Sequence, residues 1–510
     1  MGNKFRRKNE ITPIGKKLWQ YAAKTFYLAS VTTAIYMLFS DWAYDDPFIT
    51  YRYADNLIRG VGFLYNPGER VLSTTTPLFA LLLNMFGRIW SDLPHIANLL
   101  GSFGIALGGL FLWELGRTWE NQIVGWAGLL LYPTFPLLVS TIGSETPLYL
   151  AFCLGTILFY AQKKYLLAGS LAGFTVLTRG DGALVPLLLG LDFIWRLLKS
   201  WKQEDARFHL SDFVNRIPLK GIFLFFVVIL PWFVFAWGYF GSPLPATLAT
   251  KQHQGAMAIS QRFAPGFLSV IGWYTSHWQY YLEAVLAVVG LVTALIWYRR
   301  WLLILVWTAL YFAAYSLLGV TRYFWYYAPL VPGFIVLVGL GSGRFPGWLQ
   351  SGSRSRFPRG VSKGIILIIL IVLTIMQFGD LLEMRMNADT RFRVYRAVGK
   401  WLQANTSTSA KVGALEVGII GYYANRPMVD FAGLIQPDVA EQLTADTTYQ
   451  DAAIWASNRY QPDYLVLFRG AFARLRRGYV AEGCQLVVEF PAQKYDFHTD
   501  LQVYTCGSET

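Results

Sequence analysis

GIILIILIVLTIMQF, residues 364–378, is fifteen residues without a charge, and GDLLEMRMNADTRFR, which follows it as residues 379–393, carries six ionisable side chains. A bilayer core about 30 Å thick needs roughly 17 to 25 apolar residues of helix, fewer where the helix is buried in protein. The first run therefore reads as a membrane span, and the change after Phe378 marks where the chain leaves the bilayer. No comparable run occurs downstream, whereas ten occur upstream, at 25–40, 96–115, 123–139, 147–161, 165–177, 183–198, 221–239, 281–298, 301–318 and 328–340. The pattern predicts an α-helical polytopic membrane protein of about eleven spans with a C-terminal α/β domain outside the bilayer.

Composition agrees. Hydrophobic residues are 54% and charged residues 15% of the 510, against about 25% charged in soluble proteins. Three cysteines cannot staple such a chain, and 19 Trp, 30 Tyr and 36 Phe are too many aromatics for a disordered one. The net charge of +13 would suggest nucleic acid on a soluble protein. Here it has a topological reading. With the N-terminus in the cytoplasm, the inner segments hold 23 basic residues, Lys163, Lys164, Arg299 and Arg300 among them, and the short outer loops hold eight. That asymmetry obeys the positive-inside rule, so no nucleic-acid partner is expected. The apolar run 77–90 is too short for a comfortable crossing and is laid on the outer surface. No small-residue cleavage site follows the first run, which reads as an anchor.

The expected division is 1–380, a membrane domain with a large first outer loop at 41–95, and 381–510, an extracytoplasmic domain. In the latter Phe392, Tyr395, Val398 and Leu402 recur at helical spacing, and 411–417, 463–468, 485–490 and 501–505 read as strands. Residues 341–360, rich in Gly, Ser and Arg, form a cytoplasmic linker. Cys484 and Cys506 lie on neighbouring strand candidates in an oxidising compartment, a candidate disulfide whose alternative is two free thiols. Cys153 is a packing residue.

The chemistry concentrates in the first outer loop, DWAYDDPFITYRYADNLIRGVGFLYNPGERVLSTTT, residues 41–76. Asp45 and Asp46 stand just past a membrane helix. One carboxylate could take a proton from an attacking hydroxyl while its neighbour binds a cation, and Asp45 is expected to be that base or its metal-linked partner; the plain alternative is helix capping. Arg52 and Asp55 follow at helical spacing as substrate-binding candidates, and Asp55 with Arg59 also fits a local ion pair. Glu145, in GSETP, falls on the same outer face and serves either as a second acidic group or as a complement to a helix dipole. TRGDG, residues 178–182, leaves Arg179 and Asp181 at membrane depth, where ionisable groups are costly and functional by default. Lys251 and His253 stand in a stretch poor in charge, and Arg322 opens TRYFWYYAPLVP with Tyr326 inside it. Arg179, Lys251 and Arg322 could converge on a phosphate; each alone also fits an interfacial snorkel. There is no G-x-x-x-x-G-K-[ST], H-E-x-x-H or C-x-x-C, and the five histidines show no metal-ligand spacing.

These segments, DDPFITYRYADNL, GFLYNPGERV, SETPL, LTRGDG, GSPLP, YFWYYAPLVP and VGALEVGIIGYYANRPMVDFAGL, resemble in order the GT-C superfamily of integral-membrane glycosyltransferases. The nearest likeness is to bacterial arabinofuranosyltransferase, protein mannosyltransferase and aminoarabinose transferase groups that use polyprenyl-phosphate-linked sugars. The resemblance implies an acidic motif at Asp45 and Asp46 that is base or metal ligand, a second acidic position at Glu145, and at most a divalent cation as cofactor. It further implies transfer to a cell-envelope glycan, lipid or protein acceptor at the outer face of a bacterial inner membrane. In-line attack of the acceptor hydroxyl on the anomeric carbon predicts inversion, and the location of the C-terminal domain over that face predicts that it positions the acceptor. The chain departs from the family pattern at Gly180 and Ala246, both on the donor side. A lipid-linked glycan transporter or flippase is the alternative, though no paired repeat with matching broken helices is visible.

Overall fold

The computed structural model describes residues 13–204, 216–344 and 359–507. The basic residues Lys4, Arg6, Arg7, Lys8, Arg207, Arg354 and Arg356, and most of the linker expected at 341–360, lie outside the described residues. Ten helices carry the first half: α1 (Pro13–Phe39), α2 (Pro47–Ile58), α3 (Pro77–Gly87), α4 (Leu93–Thr118), α5 (Gln122–Leu130), α6 (Thr146–Ala161), α7 (Tyr165–Thr178), α8 (Leu184–Glu204), α9 (Leu219–Phe240) and α10 (Thr247–Ala256). Then come α11 (Phe263–Tyr274), α12 (Trp278–Ile296), α13 (Leu302–Leu318), α14 (Val331–Ser342) and α15 (Arg359–Met386).

Among the described residues seven helical stretches are long and apolar enough to cross a membrane, and they match seven of the eleven expected runs. The other four differ for identifiable reasons. The run 123–139 is broken into α5 and a single turn at Pro136–Val139 by Pro133 and Pro136, which cannot continue a helix. The runs 147–161 and 165–177 are α6 and α7, of 16 and 14 residues. Leu148 to Ala151 of α6 are buried, and a helix enclosed by protein need not match the bilayer thickness. The run 183–198 begins at the last residue of the turn Gly180–Ala183 and continues in α8, where Asp192, Arg196 and Lys199 interrupt the apolar sequence. Two helices, α10 and α11, occupy what reads in sequence as an outer loop. Helix α3 covers 77–87; Phe79, Ala80 and Leu83 are buried while Leu81, Met85 and Phe86 are exposed.

The C-terminal part opens with α16 (Arg391–Asn405), whose Val394, Tyr395, Val398 and Leu402 pack on a five-stranded sheet. The strands are β1 (Val412–Ala414), β2 (Met428–Asp430), β3 (Tyr464–Phe468), β4 (Cys484–Phe490) and β5 (Leu501–Cys506), in the order β2-β1-β3-β5-β4. The pairs β2-β1 and β1-β3 are parallel, and β3-β5 and β5-β4 antiparallel. Four strands match the expected ones. The exception is β2, three residues following Pro427, too short to show a period-two pattern. Cys484 and Cys506 are register partners of β4 and β5 and are joined by a disulfide; Cys153 is buried.

The membrane part and the C-terminal part share one apolar core. Phe48, Tyr51 and Tyr53 of α2 and Phe79 of α3 belong to the same buried cluster as Tyr395, Ile419 and Ile420. The helix α17 (Gly418–Ala424) carries most of that contact.

Candidate active site

Asp46 and Glu145 occupy equivalent places. Each is the N-cap of a helix that begins with proline in its first turn, α2 at Pro47 and α6 at Thr146-Pro147, and neither side chain caps its own helix. Proline brings no N–H to that turn, so fewer donors need a partner and the carboxylate is released for other contacts. The positive end of each helix dipole still favours the charge. Both carboxylates line a cavity of about 450 Å³ that also takes in Arg179, Asp181 and Lys251.

Arg179 leaves α7 in extended conformation, φ −154°, and the TRGDG segment turns beneath it. Its guanidinium donates to Glu145 Oε1 at 3.1 Å, to Asp181 Oδ1 and Oδ2 at 2.8 to 3.2 Å, and to the Tyr315 hydroxyl at 2.8 Å. The Tyr315 hydroxyl in turn donates to Asp181 Oδ2 at 2.5 Å. On the other side of the cavity Lys251 of α10, 5% exposed, lies 3.3 Å from Asp46 Oδ1 and 3.8 Å above the Tyr323 ring. Burial pushes Glu145 above the usual carboxylate range although Arg179 pulls it down. For Lys251 burial acts downward, Asp46 and Tyr326 act upward, and the net shift is upward, so the lysine is charged at neutral pH.

The same cavity is lined by a shelf of hydroxyls. Thr50, Thr74 and Thr76 are bonded to one another at 3.0 to 3.2 Å. Thr247 Oγ1, also on the wall, is buried without a hydrogen-bond partner, and a buried hydroxyl in that condition is available to a ligand. An apolar part of the wall is formed by Trp232, Phe233, Leu244, Leu248 and Leu318, and the three leucines are exposed. Leu434 of the C-terminal part completes the enclosure, held by Thr250 donating to Gly433 O at 3.1 Å and Gln254 donating to Ala432 O at 3.0 Å.

Of the residues singled out in sequence, Asp46, Glu145, Arg179, Lys251 and Tyr326 meet around this cavity. Five stand elsewhere. Both Asp45 oxygens accept backbone N–H groups, from Gly418 at 3.0 Å and Ile419 at 2.7 Å, at the start of α17. Arg52, 1% exposed, donates to Gly421 O at 3.2 Å and Asn425 Oδ1 at 2.7 Å at the other end of that helix. Asp55 pairs with Arg59 at 2.9 Å, the local ion pair. His253 Nδ1 lies 3.1 Å from Leu443 O. Arg322 is exposed and does not join the cavity lining, because it is held to Gln261 twice, its backbone N–H donating to Gln261 O at 2.8 Å and its guanidinium to Gln261 Oε1 at 2.8 Å. A divalent cation shared by Asp45 and Asp46 does not fit this donor set: the Asp45 carboxyl is turned to the start of α17, only Asp46 of the two lines the cavity, and the Lys251 ammonium stands beside it. Among the described residues no three His, Cys, Asp or Glu converge as ligands.

Sequence reading passed over Tyr315, which sits inside an apolar run with nothing to distinguish it, and the threonines of STTT, residues 73–76. Four consecutive hydroxyls ahead of Pro77 were the available signal for the second.

Comparison with known proteins agrees with this architecture. Residues 383–505 match a family described as a domain of unknown function (DUF8728). Over 239 residues, 42% of the chain, the sequence is 28% identical to the terminal beta-(1->2)-arabinofuranosyltransferase of Mycobacterium tuberculosis, and the match spans 35% of that protein. ArnT from Cupriavidus metallidurans, solved bound to undecaprenyl phosphate, superimposes with a TM-score of 0.60 at 13% identity over 95% of this chain and 98% of its own. The oligosaccharyltransferase of Archaeoglobus fulgidus gives a TM-score of 0.56 at 13% identity over 87% of this chain and 69% of its own. The chain is a multi-pass membrane protein with the GT-C fold.

Proposed function

We propose that the protein is a membrane glycosyltransferase that takes a sugar from a polyprenyl-phosphate-linked donor and passes it to a hydroxyl of a cell-envelope glycan, lipid or protein at the extracytoplasmic face of a bacterial inner membrane. One observation carries this reading: a single cavity joins carboxylates, a buried lysine and a cluster of hydroxyls to an apolar wall that includes Trp232, Phe233 and three exposed leucines. A donor with a lipid tail and a sugar phosphate head matches both halves. The likeness to a protein solved with undecaprenyl phosphate and to an arabinofuranosyltransferase supports the same donor class.

In this reading Asp46 takes the proton of the acceptor hydroxyl as its oxygen attacks the anomeric carbon. The bond from that carbon to the phosphate oxygen breaks on the opposite face, so configuration inverts, and the phosphate leaves with the electron pair. Lys251 meets the charge that develops there. Arg179 has its donors taken by Glu145, Asp181 and Tyr315; it holds both carboxylates in place and reaches a phosphate by releasing one of them. General-base assistance of this kind contributes about 100- to 10,000-fold.

Detergent-purified protein incubated with a panel of radiolabelled polyprenyl-phosphate sugars and an envelope extract tests the reading. The expected result is label in the acceptor and release of polyprenyl phosphate. Movement of intact labelled lipid across a liposome bilayer, with no transfer from any donor, would establish the transporter reading instead.

A further inference from the structure

A second cavity, of about 500 Å³, lies at the opposite ends of the helices. Its lining includes Arg117, Glu120 and Asn121, Tyr298, and Arg344 with Lys363. Arg117 is in the last turn of α4, Tyr298 follows α12, Arg344 follows α14 and Lys363 is in the first turns of α15, so four membrane helices end around it. Helix α4 has its N-terminus beside the active-site loops, and its 26 residues span about 39 Å. The second cavity is therefore at the other membrane surface from the candidate active site.

Three cations line it against one carboxylate, Glu120. The Arg344 guanidinium is stacked 3.9 Å from the Trp297 ring centroid, which fixes it at the depth of an interfacial aromatic. Lys363 Nζ donates to Gln122 Oε1 at 3.3 Å and keeps further N–H groups. Arg117 is tied at 3.3 Å to Glu114, a carboxylate that Lys24 also neutralises at 2.6 Å, so the local field stays positive. The floor is the tight turn between α4 and α5. Glu120 adopts φ 57° there, and Asn121 N donates back to Gly116 O at 2.7 Å.

Cations from three separate helices around a cavity of this volume, at the depth of lipid headgroups, match a phosphodiester better than a soluble anion; basic pockets between membrane helices bind acidic headgroups in this way. We propose that this cavity binds the headgroup phosphate of an acidic membrane phospholipid, at a site separate from the transfer chemistry.

Native mass spectrometry of the purified full-length chain tests it, with dioleoylphosphatidylglycerol, dioleoylphosphatidylcholine and inorganic phosphate as probes. Wild type is expected to retain the acidic lipid about tenfold over the neutral one, and Arg344→Gln/Lys363→Gln to lose that preference. Equal retention of the two lipids by wild type overturns the proposal, as does undiminished preference in the variant. Displacement of the acidic lipid by millimolar inorganic phosphate assigns the cavity to a free anion and overturns it too. Should the double variant fail to fold, Lys363→Gln alone, at an exposed position, reads the same preference.

Discussion

Asp45 and Arg52, seven residues apart on one helix entry, grip opposite ends of the same helix in the C-terminal part: Asp45 accepts the first N–H groups of Gly418–Ala424, and Arg52 donates to the carbonyl of Gly421 and the side chain of Asn425. The Asp45 carboxyl at one end and the Arg52 guanidinium at the other give partners to groups that a helix end leaves unpaired. The acidic pair of the first loop is thus divided, one carboxylate to assembly and one to the cavity.

Arg52→Met is expected to lower stability by about 3 kcal/mol, since it leaves buried carbonyls and the Asn425 amide without their donor. Thermal unfolding and protease cleavage near residues 387–390 measure it. An unchanged melting temperature would remove Arg52 from the junction.

Asp46→Asn is expected to reduce sugar transfer about 100- to 10,000-fold while the melting temperature stays that of wild type. Asp45→Asn is expected to do the reverse, losing stability first. If both variants lose turnover equally with no change in melting, the division of labour between them is wrong.

The junction is expected to weaken in alkali. Burial and the nearby Glu416 carboxylate push Asp45 up from 3.8 to about 8, opposed by the Ile419 and Gly418 N–H groups and by Arg391. Burial likewise raises Glu416, with Arg391 opposing. A folded-state value above the unfolded one means that the folded form holds the extra proton. Its contribution is complete below about pH 4 and is lost as pH rises through about 8. The hydrogen-exchange protection factors of residues 418–424, taken relative to the base-catalysed intrinsic rate at each pH, should fall between pH 7 and 9 in wild type and not in Asp45→Asn; identical profiles would count against it.

Lys251→Met is expected to slow turnover more than it weakens acceptor binding, because the charge is needed where the leaving phosphate develops. Steady-state kinetics with the acceptor varied separates kcat from KM. A pure KM effect would move Lys251 to the acceptor side.

Cys484→Ser is expected to cost the C-terminal part about 3 kcal/mol, from opening a loop of 22 residues. Differential scanning calorimetry in the presence and absence of reductant reads this directly.

Hydropathy made the long spans legible, and the change after Phe378 located the sheet. The short helices were harder, because α6 and α7 are enclosed by protein and no bilayer thickness dictates their length. Within the candidate site Glu145, Arg179 and Lys251 could be picked out because charge is rare around them, and Asp46 because it belongs to a polar loop beside a membrane helix. Neither signal shows that the guanidinium groups of Arg52 and Arg322 are already committed, to backbone carbonyls and to a glutamine: in one dimension each looks like one waiting for a ligand. Tyr315 shows the converse, a polar contact hidden in an apolar helix.

Gly418 and Gly421 stand where α17 meets the Asp45 backbone and the Tyr65 hydroxyl, so close that a methyl group at either position would collide. A transplanted C-terminal region would thus seat only if it arrived with both small residues in register. Once seated it would bring its own Leu434 to the cavity, which makes this interface the natural place at which to recombine related proteins and alter what that cavity admits.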